Sequence, residues 1–142
     1  MKVLMAIDDS QFSEQVLQAL IMQFRPEQTE VRVLHVLQPI APPPPQMSPG
    51  YAPELDDQKK PAHALVERMA EKLRNSGFKA SGEVAIGDTR EQIIEDASDW
   101  HADLIMVGSH GHRGLRRFLL GSVAESVARH ADCSVEIVRR SS

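Results

Sequence analysis

Cysteine is nearly absent from this chain of 142 residues: Cys133 stands alone. No internal disulfide and no CxxC pair can form, redox chemistry loses its usual footing, and a reducing cytoplasm is the expected setting. Positive charge is not in excess. Sixteen Lys and Arg against twenty Asp and Glu give a net charge of −4, which leaves no electrostatic footprint for nucleic acid or an anionic membrane. No apolar run is long enough to span a bilayer, and Met1–Ile7, basic and then apolar, is cut off by Asp8 and Asp9 before it could serve as a secretion signal. Neither G-x-x-x-x-G-K-[ST] nor G-x-G-x-x-G occurs, so phosphate-loop NTPase and dinucleotide-binding readings fail at the motif. There is no internal repeat.

What is present is ordinary globular material, 42% hydrophobic and 25% charged, of a length that suits one domain over residues 1–142 with a core needing no disulfide or structural metal. The run from Lys2 to Ile7 reads as a buried strand. Val16, Leu17, Leu20, Ile21 and Phe24 then recur at the spacing of one helix face, with Pro26 to stop it. Glu30–Leu37 predicts a second strand, and a proline-rich loop follows over residues 38–57. Ala62, Leu65, Val66, Met69 and Leu73 mark a second helix closing at Gly77, and Phe78–Ile86 a third strand, weakened by Gly82. Asp88 with Glu91 three residues later has the pattern of a capping box, opening a third helix with Ile93, Ile94, Ala97 and Trp100 on its buried face. Asp103–Val107 is a fourth strand, Ser122–Ala131 a fourth helix with Arg129 and His130 in its last turn, and Val135–Val138 a fifth strand.

Strands alternating with helices predict an α/β fold, an open parallel sheet covered on both faces by right-handed crossovers. Ligands in such sheets bind beyond the carboxyl ends of the strands, where strand order reverses. Asp8 ends the first strand and Gly108 the fourth; if these strands are neighbours across the reversal, both reach one crevice. Four of the eight glycines fall within Gly108–Ser122, each at a cost of about 0.5–1 kcal/mol relative to alanine in regular structure. Gly121 and Ser122 open a helix whose first amides, on Ser122, Val123 and Ala124, have no partner inside it. With the positive end of the helix dipole they make a seat for phosphate. Side chains at Gly111 or Gly121 would hold phosphate oxygens off the backbone, and Gly108 is expected to adopt dihedrals closed to other residues. Arg113 adds a charged donor, and the Ser122 hydroxyl either caps the helix or donates to phosphate. If these glycines served turns alone, three at fixed spacing with a following Ser or Thr would arise by chance in roughly one chain in a couple of hundred.

The pattern G-x-x-G, nine residues, then G-S, here Gly108, Gly111, Gly121 and Ser122, resembles the nucleotide-binding type of the universal stress protein family. "VLMAIDDS" is similar to that family's first strand, with Asp8 at its acidic position and Asp9 where glycine is usual; "VLHV" and "ADLIMVGSHGHRG" resemble its second strand and its fourth strand and loop. The resemblance covers nearly the whole chain. It implies five strands in the order 3-2-1-4-5, and ATP (or ADP or AMP) with its phosphates on Gly108, Ser109, His110, Gly111, His112, Arg113, Gly114, Gly121, Ser122, Val123 and Ala124. Asp8 would hold ribose hydroxyls, the backbones of Ala6 and Val36 would lie near adenine, and Ile7 and Met106 would border the same site. Magnesium would be held through the phosphates.

Rival readings of single features stay plainer. His110 and His112 lack a third metal ligand, and no Ser/His/Asp set or carboxylate pair assembles for catalysis, so any ATP hydrolysis is expected to be slow. Arg116 and Arg117 suit phosphate or solvent equally. The prolines from Pro42 to Pro45 could present a polyproline ligand, the basis of an alternative reading as a dimeric interaction scaffold with incidental nucleotide. Cys133 reads as a small core residue. Val135–Val138 at a sheet edge invites pairing with its own copy in a twofold homodimer, as is common in the family.

Overall fold

A computed structural model describes residues 1–39, 53–109 and 120–139, with 53–56 described by backbone alone. Five strands, β1 (Lys2–Ile7), β2 (Glu30–Leu37), β3 (Lys79–Ile86), β4 (Leu104–Gly108) and β5 (Ser134–Val138), alternate with four helices, α1 (Phe12–Gln23), α2 (Pro53–Asn75), α3 (Thr89–Trp100) and α4 (Ser122–His130). All neighbouring strands pair in parallel, in the order β3-β2-β1-β4-β5, the order that the family resemblance implies.

The period-two geometry of a strand divides the core into two layers. Val3, Met5 and Ile7 of β1 point to one side, against Val16, Leu17 and Leu20 of α1 and Val66, Met69 and Leu73 of α2. Leu4 points to the other, with Leu34, Ile105, Ile93 and Ala97 of α3, and Val127 of α4. Burial of each such side chain contributes about 1.5–3 kcal/mol, and because both faces are covered the central strands read as unbroken apolar runs.

The helix ends follow local chemistry. Asp88 accepts from the Glu91 amide at 3.1 Å, the N-terminal half of the expected capping box. Helix α2 closes at Gly77, φ +95°, with the Phe78 amide reaching back to the Leu73 carbonyl at 3.0 Å. It begins at Pro53, so the proline-rich segment expected over 38–57 overlaps the helix at 53–57, while residues 40–52 lie outside the described residues. The apolar spacing missed that first stretch, which Pro61 separates from the rest by removing one backbone donor. Helix α1 stops at Gln23, ahead of Pro26, which instead opens a single 3₁₀ turn over Pro26–Gln28. Gly82 in β3 is more than a weak point in a strand: Val66 of α2 sits against its Cα side.

At the amino ends of the strands, the Lys2 amide donates to Asp103 Oδ2 at 2.7 Å and the Asp103 amide to the Lys2 carbonyl at 2.8 Å, binding β1 to the start of β4. Two cations lie over the Trp100 ring, Arg32 at 4.7 Å and Lys2 at 5.3 Å from its centre. Among the described residues, no helix is long and apolar enough to cross a membrane.

Candidate functional site

The sheet order makes β1 and β4 neighbours, in the register Val3↔Leu104, Leu4↔Ile105, Met5↔Met106. Asp8, just past β1, and Gly108, at the end of β4, therefore leave the sheet at the same edge, side by side at the reversal of strand order. Ala6, Ile7 and Val36 occupy the carboxyl-terminal parts of β1 and β2, and Met106 the middle of β4. Ile7, Val36 and Met106 are buried and Ala6 is partly so.

Beyond β4 the chain departs and returns at one point. The Ser109 amide donates to the Val138 carbonyl at 2.8 Å, and the Ser109 carbonyl accepts from the Gly121 amide at 2.7 Å. The second bond brings the start of α4 against the end of β4. Gly121 takes the cap position with φ −64° and ψ 157° and no side chain to bond the first turn. The first amide to close within the helix is that of Glu125, onto the Gly121 carbonyl at 3.0 Å. Among the described residues nothing accepts from the amides of Ser122, Val123 and Ala124, so three donors and the positive end of the helix dipole meet the strand edge together.

One expectation is corrected here, and one of two alternatives is closed. Gly108 is not in a backbone region closed to other residues, since among the described residues only Gly77 and Gly87 are glycines with positive φ; β4 runs through Gly108 in register with Val138, which keeps it extended. Ser122 does not cap α4 either, because Gly121 holds the cap and Ser122 is the first helical residue. His110, Gly111, His112, Arg113 and Gly114 lie outside the described residues, as do Arg116 and Arg117.

Asp8 sits in a built corner. Its Oδ1 accepts from the Ser10 amide at 2.9 Å and from the Ser10 hydroxyl. Its amide donates to Ser13 Oγ at 3.1 Å, and the Ser13 hydroxyl donates to its carbonyl at 2.8 Å. Ser13, on the first turn of α1, is buried. His35, in β2 opposite Ile7, bonds the Ile7 carbonyl through Nδ1 at 3.0 Å. The sequence reading named neither Ser13 nor His35. The "DDS" turn after a strand was a signal for Ser10, but nothing local points to His35, twenty-eight residues from its partner.

A separate cavity of about 620 Å³ runs between α3 and α4, lined by carboxylates including Glu91, Glu95 and Asp99 together with Ser126 and His130. It contains none of the candidate residues. Its lining also includes Arg90, and most of its charged groups are acidic.

A doubly wound parallel sheet, reversed between β1 and β4 and with a glycine-started helix at the reversal, is the class this fold and corner define. The chain belongs to the universal stress protein family, whose model matches residues 1–139. A universal stress protein of Bacillus subtilis, YxiE, is 32% identical over 97% of this chain and 98% of its own length. Among solved structures, MJ0577 of Methanocaldococcus jannaschii superposes with TM-score 0.84 at 28% identity, covering 99% of this chain and 96% of that one. At lower identity the same fold appears in a family protein of Arabidopsis thaliana with AMP bound, TM-score 0.72, 20% identity, 100% of this chain and 93% of that one. It appears again in a universal stress protein in complex with cAMP, TM-score 0.74, 22% identity, 99% and 98%.

Proposed function

We propose that this chain binds an adenine nucleotide, ATP in the first instance, and acts in the stress response as a nucleotide-dependent regulatory or protective module rather than as an efficient enzyme. The observation that carries the reading is the Gly121–Ser109 hydrogen bond, which sets the first amides of α4, on Ser122, Val123 and Ala124 and unpaired among the described residues, at the end of β4, next to the end of β1 where Asp8 lies. Those donors and the side-chain-free cap fit a phosphate group. Asp8, whose Oδ1 is held by Ser10, fits a ribose hydroxyl donor. Ala6, Ile7, Val36 and Met106 would border the base, and Gly108, Ser109, His110, Gly111, His112, Arg113 and Gly114 would complete the phosphate loop. Magnesium, when bound, would be held chiefly by the phosphates and would neutralise their charge. Family membership and the AMP and cAMP bound by proteins of this fold support the reading.

The assembly belongs to the same proposal. Strand β5 ends the sheet, and an edge of partly buried Val135, Ile137 and Val138 suits pairing with a second copy in a cytoplasmic homodimer. Titration calorimetry of nucleotide-free protein with ATP, ADP and AMP tests the binding claim. Saturable heat with ATP is expected; no binding at millimolar ATP overturns it.

A further inference from the structure

We infer that His35 is a positioning residue for Asp8, holding the acidic corner of the nucleotide site through the peptide bond between Ile7 and Asp8. The inference rests on the nucleotide-binding reading above and adds to it a residue that acts through the backbone of β1.

The Ile7 carbonyl and the Asp8 amide belong to one peptide unit, which is rigid and planar. Both of its polar ends are taken by side chains, and from two different elements. His35 of β2 donates from Nδ1 to the Ile7 oxygen at 3.0 Å, and Ser13 of α1 accepts from the Asp8 amide at 3.1 Å. A carbonyl oxygen can only accept, so His35 carries its proton on Nδ1. Fixing both ends of the plane fixes ψ of Ile7 and φ of Asp8, and with them the direction in which the Asp8 side chain leaves the backbone. Ser13 holds the next carbonyl at 2.8 Å and Ser10 holds Oδ1 through its amide at 2.9 Å, so the carboxylate is aimed before any ligand arrives.

The setting gives the bond its weight. Ile7 and Ser13 are buried and His35 is partly buried, so a lost donor would leave the Ile7 carbonyl poorly served by water. A register pair normally contributes backbone bonds alone. Here β2 also lends a side chain to the last carbonyl of β1, the strand that borders the reversal.

The test pairs His35→Leu, which removes the donor, with His35→Asn, whose side-chain N–H branches at the place of Nδ1. ATP affinity is read by calorimetry, and amide exchange at Asp8 and Ser10 is read in the nucleotide-free protein. His35→Leu should weaken ATP binding about fivefold and quicken both amides by a similar factor, while His35→Asn stays within about twofold of the native chain on both readouts. Equal affinity and equal exchange in a folded His35→Leu protein overturn the inference, and so does a folded His35→Asn that behaves like His35→Leu. If the leucine variant does not fold, long-range proton–nitrogen correlation in the native protein decides: an unprotonated Nδ1 overturns it. A native chain that binds no ATP sinks the nucleotide reading, while exchange at Asp8 and Ser10 still judges His35.

Discussion

Val66 of α2 lies so close to Gly82 of β3 that a Cβ added to the glycine would stand 2.9 Å from the Val66 Cγ2 and 3.0 Å from its backbone carbonyl carbon. A real Cβ essentially never comes as close as 2.9 Å to another heavy atom and seldom as close as 3.0 Å, and the helix cannot yield without disturbing Leu65, Met69 and Leu73 in the core beneath it. Gly82→Ala is therefore expected to destabilise the fold by about 1–3 kcal/mol, as overpacking does, in spite of alanine's better fit to regular structure. Urea denaturation of the two proteins measures it, and a variant as stable as the native chain would show that α2 has room.

Gly121→Val separates site from fold. The cap dihedrals of φ −64° and ψ 157° are open to valine, so the circular dichroism spectrum should hardly change. Its branched side chain would stand in front of the amides of Ser122, Val123 and Ala124, and ATP binding should be lost. Retained affinity would place the phosphates elsewhere.

His101 ends α3 in the left-handed region, φ 61°, with its amide on the carbonyls of Ala97 and Ser98. A non-glycine residue is strained there, and this one is exposed. His101→Gly should raise stability by about 0.5–1 kcal/mol, seen as a higher melting temperature at unchanged nucleotide affinity.

Asp88 is held below the usual carboxylate range, first by the Arg90 guanidinium bonded to it and then by the Glu91 amide. A carboxyl whose folded pKa is lowered stabilises the fold above its unfolded pKa, and that contribution disappears as pH falls through the folded value. The stability gap between native chain and Asp88→Ala should thus be widest near neutrality and close in acid. Denaturation across pH 2–7 checks it; a gap that grows in acid would contradict the sign.

Burial pushes the Cys133 thiol up from its ordinary range, with Asp132 and Asp103 adding to the rise. Only the thiolate is strongly nucleophilic. Alkylation by iodoacetamide at pH 7 should be slower than that of a free cysteine and should accelerate on unfolding, as mass spectrometry over a time course would record.

Much of this architecture can be read along the chain because its causes are local. Asp88 with Glu91 opens α3, Gly77 closes α2, and the alternation through Val3, Leu4 and Met5 feeds two cores, all through dihedral preferences and side-chain periods that act over a few residues. The same locality explains the misses. Nothing near His101 announces a left-handed residue, and the apolar spacing of α2 begins only at Ala62, well after the helix itself. Gly108 reads locally as a turn glycine with special dihedrals, whereas pairing with Val138 holds it extended, and between the two roles open to the Ser122 hydroxyl the cap is taken by Gly121.

By itself the sequence determined the alternation of strands and helices, the two-sided core, and the placing of a glycine-rich segment between the fourth strand and the fourth helix. The order of the strands entered only through family resemblance, since periodicity says which face is buried and nothing about which strand lies alongside. What tertiary structure alone decided is the meeting of distant groups: Gly121 with Ser109, Val66 with Gly82, and His35 with Ile7. Each depends on register between elements far apart in the chain, and register is fixed by the collective burial of whole strands and helices.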